Sequence, residues 1–125
     1  MRVVELDISN YRSIKQLSCN VMDMMVLLGP NNHGKSNVLA AMGYLLTPGA
    51  KVTRDDFFAS QAGQNSSMAV EAVFADPTQQ ESTTFQKYLR VDGSIKIRRW
   101  ATIDVDDQTE AGYHGYIQQP DKWWL

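Results

Sequence analysis

Gly29-Pro30-Asn31-Asn32-His33-Gly34-Lys35-Ser36 decides how this chain is read. It fits G-x-x-x-x-G-K-[ST], a pattern whose glycines let backbone N–H groups turn inward around phosphate. The apolar run Met24-Met25-Val26-Leu27-Leu28 stands before it, and Asn37-Val38-Leu39-Ala40-Ala41-Met42-Gly43-Tyr44-Leu45-Leu46 follows it. A buried strand, a loop and a helix are the context this pattern needs. Average residue usage gives its four fixed positions a chance match on the order of a few per thousand in a chain this long. The stretch predicts a nucleoside triphosphate site.

A triphosphate brings about four negative charges, held by inward N–H groups and the positive end of the following helix. Lys35 would reach the β and γ phosphates as a point charge, and the Ser36 hydroxyl would ligate a bridging Mg²⁺. Gly29 and Gly34 allow the close approach that a side chain would block. ATP and Mg²⁺ are therefore the expected ligands, with Gly29, Pro30, Asn31, Asn32, His33, Gly34, Lys35, Ser36 and Asn37 as the binding stretch. No catalytic residue is identifiable.

Outward from the loop, Arg2 to Ile8 alternates, with Val4, Leu6 and Ile8 on one face and Val3, Glu5 and Asp7 on the other, which predicts a half-buried strand. Ser9-Asn10 marks a turn, and Tyr11 to Leu17 reads as a link or second strand. The helix after the loop is expected from Lys35 to about Leu46, burying Val38, Leu39, Met42, Leu45 and Leu46, and ended by Thr47-Pro48-Gly49. Asp55-Asp56-Phe57-Phe58 reads as a loop or short helix whose aromatics plug the core. Met68 to Phe74 alternates as a strand, Pro77 or Thr78 starts a helix through Leu89, and Asp92-Gly93 turns into a strand from Ser94 to Trp100. Ile103 to Gln108 is an acidic turn, and Gly112 to Gln118 a returning strand.

The 125 residues are 43% hydrophobic and 21% charged, which suits one globular domain. A formal net charge of −2 gives no global basic signal for nucleic acid. The lone Cys19 excludes an intrachain disulfide and reads as a small buried apolar residue in a reducing compartment. No stretch approaches the ~18 apolar residues of a membrane helix, and the N-terminus lacks a signal-peptide pattern, so a cytoplasmic location without a membrane partner is expected.

The variable loop positions narrow the family. Gly29 to Leu39 resembles the G-x-N-x-x-G-K-S-N-[ILV]-L form of the SMC/RecF/OLD branch of ABC-type ATPases. Val4-Glu5-Leu6-Asp7-Ile8-Ser9-Asn10-Tyr11-Arg12-Ser13-Ile14 is similar to that branch's opening strand with its N-[FY]-R-S element. The later outline looks most like the OLD (overcoming lysogenization defect) nucleases and related defence ATPases. The resemblance implies an α/β P-loop fold, with mixed or antiparallel strands around the loop helix. It implies that Arg12 reaches toward bound nucleotide, against the alternative of a surface arginine after a turn, and that Asn31 has a role near the γ phosphate. It also implies a homodimer or larger oligomer sharing ATP sites, with DNA work or a nuclease domain or partner in the whole protein.

That branch needs an acidic pair after an apolar strand and an L-S-G-G-like signature from a partner protomer; neither is found here. Asp76 is the nearest imitation and reads more simply as a turn residue. The chain is accordingly expected to be the N-terminal lobe of a longer protein, with 1–47 as strands, loop and helix and 48–125 as an extension. Trp123-Trp124-Leu125 reads as an exposed apolar end. Arg98-Arg99-Trp100, with Lys96 and Tyr113 or Tyr116, is either a basic-aromatic surface for nucleic acid or an edge strand whose charges deter pairing; the second is favoured. The rival functions are a non-hydrolysing nucleotide- or partner-binding module complete at this length, and a small P-loop kinase using Arg90, Arg98 and Arg99.

Overall fold

A computed structural model describes residues 2–20, 32–61, 63–117 and 122–124; for 32–36, 122 and 124 it describes the backbone alone. Among these residues the chain is α/β. Six strands form one antiparallel sheet, and the main helix lies on one face of it rather than among the strands. The strands are β1 (Arg2–Tyr11), β2 (Ile14–Asn20), β3 (Ser66–Ala75), β4 (Ile95–Ile103), β5 (Thr109–Ile117) and β6 (Lys122–Trp124). Their order is β2-β1-β3-β4-β5-β6. The helices are α1 (Asn32–Leu46) and the short α2 (Gln79–Thr84).

The alternation read in the sequence is the alternation of the sheet. Leu6 and Ile8 of β1, Met68, Val70, Ala72 and Phe74 of β3, and Ile95, Ala101 and Ile103 of β4 are buried. Most of these form one core with Val38, Ala41, Tyr44 and Leu45 of α1. In β1 the alternation slips: Val3 pairs with Phe74 and Glu5 with Val73, so a bulge occupies Val4. Val3, not Val4, thereby joins the face that packs on the core, because one extra residue shifts the period of two by one place.

Helix α1 begins at Asn32, three residues before the expected Lys35. Its buried face is also different. Leu39 and Leu46 are 51% and 54% exposed, whereas Ala41 and Tyr44 are buried beside Val38 and Leu45. Positions 38, 41 and 45 make a stripe in which the small Ala41 lets helix and sheet approach closely. The helix stops at Leu46, where Pro48 cannot continue the bonding pattern, and Ala50 N–H closes the turn on Thr47 C=O at 2.9 Å.

The later helix is shorter than the spacing predicts. Thr78 caps α2 by accepting the Glu81 N–H, while the Glu81 carboxylate accepts the Thr78 N–H. Thr83 and Thr84 hydroxyls bond back to Gln79 and Gln80 C=O, and α2 gives way to a 3-10 turn at Gln86–Tyr88. Gly93, at φ +84°, makes the turn into β4. Phe57 fills the core as expected, and Phe58 is half-buried. The C-terminal strand β6 was not anticipated: Trp123 is half-buried rather than exposed, edge-on to Tyr116 at 5.3 Å.

Candidate functional site

The motif residues Gly29, Pro30 and Asn31 lie outside the described residues, as does the strand expected over Met24 to Leu28. Asn32, His33, Gly34, Lys35 and Ser36 form the first turn of α1. The N–H groups at the start of a helix have no partner within it, and here they belong to motif residues. The first turn of α1 carries no acidic residue, so its positive end is not offset from within the helix. This backbone fits an anion. Asn37, one residue on, donates through Nδ2 to the Ser13 hydroxyl and ties α1 to the turn between β1 and β2.

That turn presents Arg12. Asn10 and Arg12 both adopt left-handed backbone, at φ 56° and 51°. Arg12 N–H donates to Asp56 C=O at 2.9 Å, and its Nε donates to Asp56 Oδ1 at 3.0 Å. The guanidinium lies 5.3 Å from the centre of the Tyr11 ring. Tyr11 is itself buried, and that burial pushes its hydroxyl pKa up, opposed by the nearby Arg12 charge. Of the residues expected at the site, the structure therefore brings Arg12 and Asn37 together through Ser13.

The opposite end of α1 is held by a residue that sequence reasoning misplaced. Arg99 of β4 is 4% exposed. Its Nη1 donates to Tyr44 C=O and to Thr47 C=O at 2.6 Å, and its Nη2 to Pro48 C=O at 2.8 Å and Ala50 C=O at 3.1 Å. The guanidinium lies 4.1 Å from the Tyr44 ring centre and 5.0 Å from that of Tyr113. The last turn of α1 has no basic residue of its own, so Arg99 supplies the positive charge that a helix C-terminus favours. Tyr113 adds a bond from its hydroxyl to Leu45 C=O at 2.7 Å. The missed signal was phase: Arg99 shares its face of the strand with Ile95, Ile97, Ala101 and Ile103.

Lys96, Arg98 and Trp100 point to the other face, so the run Arg98-Arg99-Trp100 is not one surface. Nor is β4 an edge strand; it lies between β3 and β5. Arg98 sits 4.1 Å from the Trp123 ring centre and Lys96 5.4 Å from that of Tyr116. Both approach Glu71, at 3.6 and 3.8 Å. Burial raises the Glu71 pKa, with Lys96 and Arg98 acting against it. Glu71 offsets part of this positive charge within the sheet. The same split separates two of the three arginines considered for a kinase lid, since Arg99 is buried on carbonyls and faces away from Arg98.

Arg54 was also unmarked in the sequence. It binds Ser60, the carbonyls of Gln61, Gln64 and Asp104, and Asp107, stapling Ser60, Gln61 and Gln64 to the β4–β5 turn. Asp76 pairs with Arg2 at 3.0 Å, in a left-handed turn residue at φ 55°. It adjoins the Arg2 end of β1, about 30 Å along a ten-residue strand from the Tyr11 end. Asp76 is thus a turn residue, remote from Arg12. Among the described residues no group of three or more metal-binding side chains occurs, and no helix is long and apolar enough to cross a membrane.

Two curated proteins are similar to parts of the chain. The DNA replication and repair protein RecF of Corynebacterium jeikeium (strain K411) is 44% identical over 46 residues, covering 36% of this chain and 11% of that protein. The Old nuclease of Escherichia phage P2 is 36% identical over 58 residues, covering 46% of this chain and 10% of that protein. The chain thus matches about a tenth of the length of each. This agrees with the SMC/RecF/OLD resemblance carried by Asn31, Asn37 and Tyr11-Arg12-Ser13. The pattern of the AAA ATPase domain matches residues 1–105, most of the chain, which belongs to that family of P-loop ATPases.

Proposed function

We propose that the chain binds Mg·ATP at the N-terminal end of α1, as the nucleotide-binding lobe of an ATPase that works in DNA-linked processes such as repair or anti-phage defence. The observation that carries this is the asymmetry of α1. Its C-terminal end is complemented by Arg99, while its N-terminal turn, made of motif residues, carries no acidic residue of its own. A phosphate chain supplies that missing negative charge.

In this reading the backbone from Gly29 to Gly34 surrounds the phosphates, Lys35 meets the β and γ groups, and Arg12 approaches beside Asn37. Ser36 would hold Mg²⁺, which neutralises charge between the phosphates. The groups that activate water come from elsewhere in the whole protein or from a second protomer, in an oligomer that shares ATP sites. The similarity to a repair protein and to a nuclease supports the DNA-linked setting. A second reading, a non-hydrolysing nucleotide- or partner-binding module, is favoured by the placement of Asp76 far from Arg12.

The test is titration of a fluorescent ATP analogue with Mg²⁺ on the full chain and on Lys35→Ala. The variant should bind at least about tenfold more weakly, the loss of one charge-assisted phosphate contact. Unchanged affinity would remove the nucleotide site altogether. Steady ATP turnover by the full-length protein separates the two readings, because the second expects binding without turnover.

A further inference from the structure

The turn that carries Arg12 is anchored more firmly than a surface arginine requires, and its anchor is Asp56. The Asp56 side chain is 14% exposed, against 42% for Arg12. Both carboxylate oxygens are engaged: Oδ1 accepts Arg12 Nε at 3.0 Å, and Oδ2 accepts the Thr53 N–H at 2.9 Å. The Asp56 carbonyl accepts the Arg12 N–H at 2.9 Å. Arg12 is therefore gripped at two points by one residue, in a left-handed conformation that non-glycine residues adopt only when the surroundings impose it.

The grip extends to both sides. Phe58 N–H donates to Asn10 C=O at 2.9 Å, and Tyr11 bridges to Phe57, so the segment after Asp56 holds the residues before Arg12. Ser13, immediately after Arg12, receives Asn37 Nδ2 from α1. One connected set of contacts thus runs from the 3-10 turn at Arg54–Asp56 through Arg12 to the helix that opens with Lys35 and Ser36.

We propose that Asp56 is a positioning residue for nucleotide binding, which fixes the Arg12 guanidinium for the outermost phosphate of a nucleoside triphosphate. This rests on the nucleotide site proposed above. A guanidinium has five N–H donors in a rigid fork, and holding the Nε–H leaves the Nη groups for a second anion. Pre-orienting a long, rotamer-rich side chain lowers the entropy lost when phosphate arrives. A contact to the outermost phosphate strengthens binding of ATP more than of ADP.

The experiment measures affinities of fluorescent ATP and ADP analogues, with Mg²⁺, for the full chain and for Asp56→Asn, Asp56→Glu, Arg12→Ala and Asp56→Asn/Arg12→Ala. Asp56→Asn should lose about five- to tenfold in ATP affinity, with ADP changed less than about twofold. Arg12→Ala should lose the same discrimination, the double variant no more than Arg12→Ala alone, and Asp56→Glu should recover part of it. An unmoved ATP/ADP ratio in Asp56→Asn, a tighter ATP complex, or losses that add in the double variant would overturn the proposal. If Asp56→Asn fails to fold through loss of the Thr53 contact, the half-exposed Arg12→Ala decides alone: an unmoved ratio there refutes the role. Lys35→Ala separates the failures. If it still binds ATP, the nucleotide site itself is wrong; if it does not and the ratios stay put, only the role of Asp56 is.

Discussion

Replacing Arg99 by methionine tests the account of how α1 is held. Methionine keeps most of the stem volume while removing the charge and every donor. Arg99 makes four hydrogen bonds to carbonyls, and each bond to a charged group is worth about 1.5–3 kcal/mol when deleted singly. The four do not add. The carbonyls of Thr47 and Pro48 belong to exposed residues and can turn to water once the guanidinium is gone. The Tyr44 carbonyl and the two flanking rings lose their partner outright, at a combined cost of about 3 kcal/mol.

That is a large share of the ~5–15 kcal/mol typical of a whole domain. It corresponds to a fall of roughly 10 °C in Tm for a chain of this size. Urea denaturation followed by far-UV circular dichroism should show a lower midpoint with an unchanged m-value. Because Arg99 is buried, salt should alter the difference little, unlike a surface ion pair. Arg99→Lys should recover less than half, since a point ammonium cannot span four carbonyls as a planar fork does. A loss below about 1 kcal/mol for Arg99→Met would refute the claim that this residue fastens the helix.

Two further outcomes test packing and charge on the sheet. A Cβ on Gly115 would lie 2.5 Å from the Tyr88 ring, so Gly115→Ala should destabilise by about 1–3 kcal/mol, and Tyr88→Ala should abolish that penalty in the double variant; a neutral Gly115→Ala would contradict the Tyr88 placement. Burial, and then the Arg98 charge, lower the His114 pKa below 6.5, while His114 Nδ1 lies 3.2 Å from Arg98 Nη2. The fold thus favours the neutral ring: its contribution is full above about pH 6.5 and is lost as pH falls through the depressed folded value. Denaturation between pH 7.5 and 5 should show this slope in the parent and not in His114→Gln. The raised Glu71 pKa acts in the opposite sense at lower pH, with its contribution present below about 4.5 and lost as pH rises through the folded value.

Strand identity was legible where one face of the sheet is covered and the other is not. Met68 to Phe74 alternates because β3 runs between β1 and β4 under α1, although Val73 on the opposite face is buried as well. What the chain does not reveal locally is phase. The Val4 bulge shifts which residues of β1 face the core, and nothing in Arg2-Val3-Val4-Glu5 marks it. The buried face of α1 passes over Leu39 and Leu46 in favour of Ala41 and Tyr44, because close approach and the Arg99–Tyr44 stack outweigh side-chain hydrophobicity there. Asp55-Asp56-Phe57-Phe58 reads locally as no more than a loop or short helix, and only the fold shows that the Asp56 carboxylate, which accepts the Thr53 N–H, also grips Arg12.

The two ends of α1 show the same division. The loop motif announces its own end of the helix because its glycines, lysine and serine fall within eight consecutive residues. The other end is completed from β4, some fifty residues away in the chain, by an arginine whose neighbours disguised it as part of a basic surface. An arginine in the inward phase of a strand is costly to bury without partners, and carbonyls at the end of a helix are partners that no charge pattern in the sequence reveals. Both charges that α1 requires therefore come from outside the helix. One is fixed by the fold, and in the nucleotide-binding reading proposed above the other is brought to the motif end by a bound phosphate.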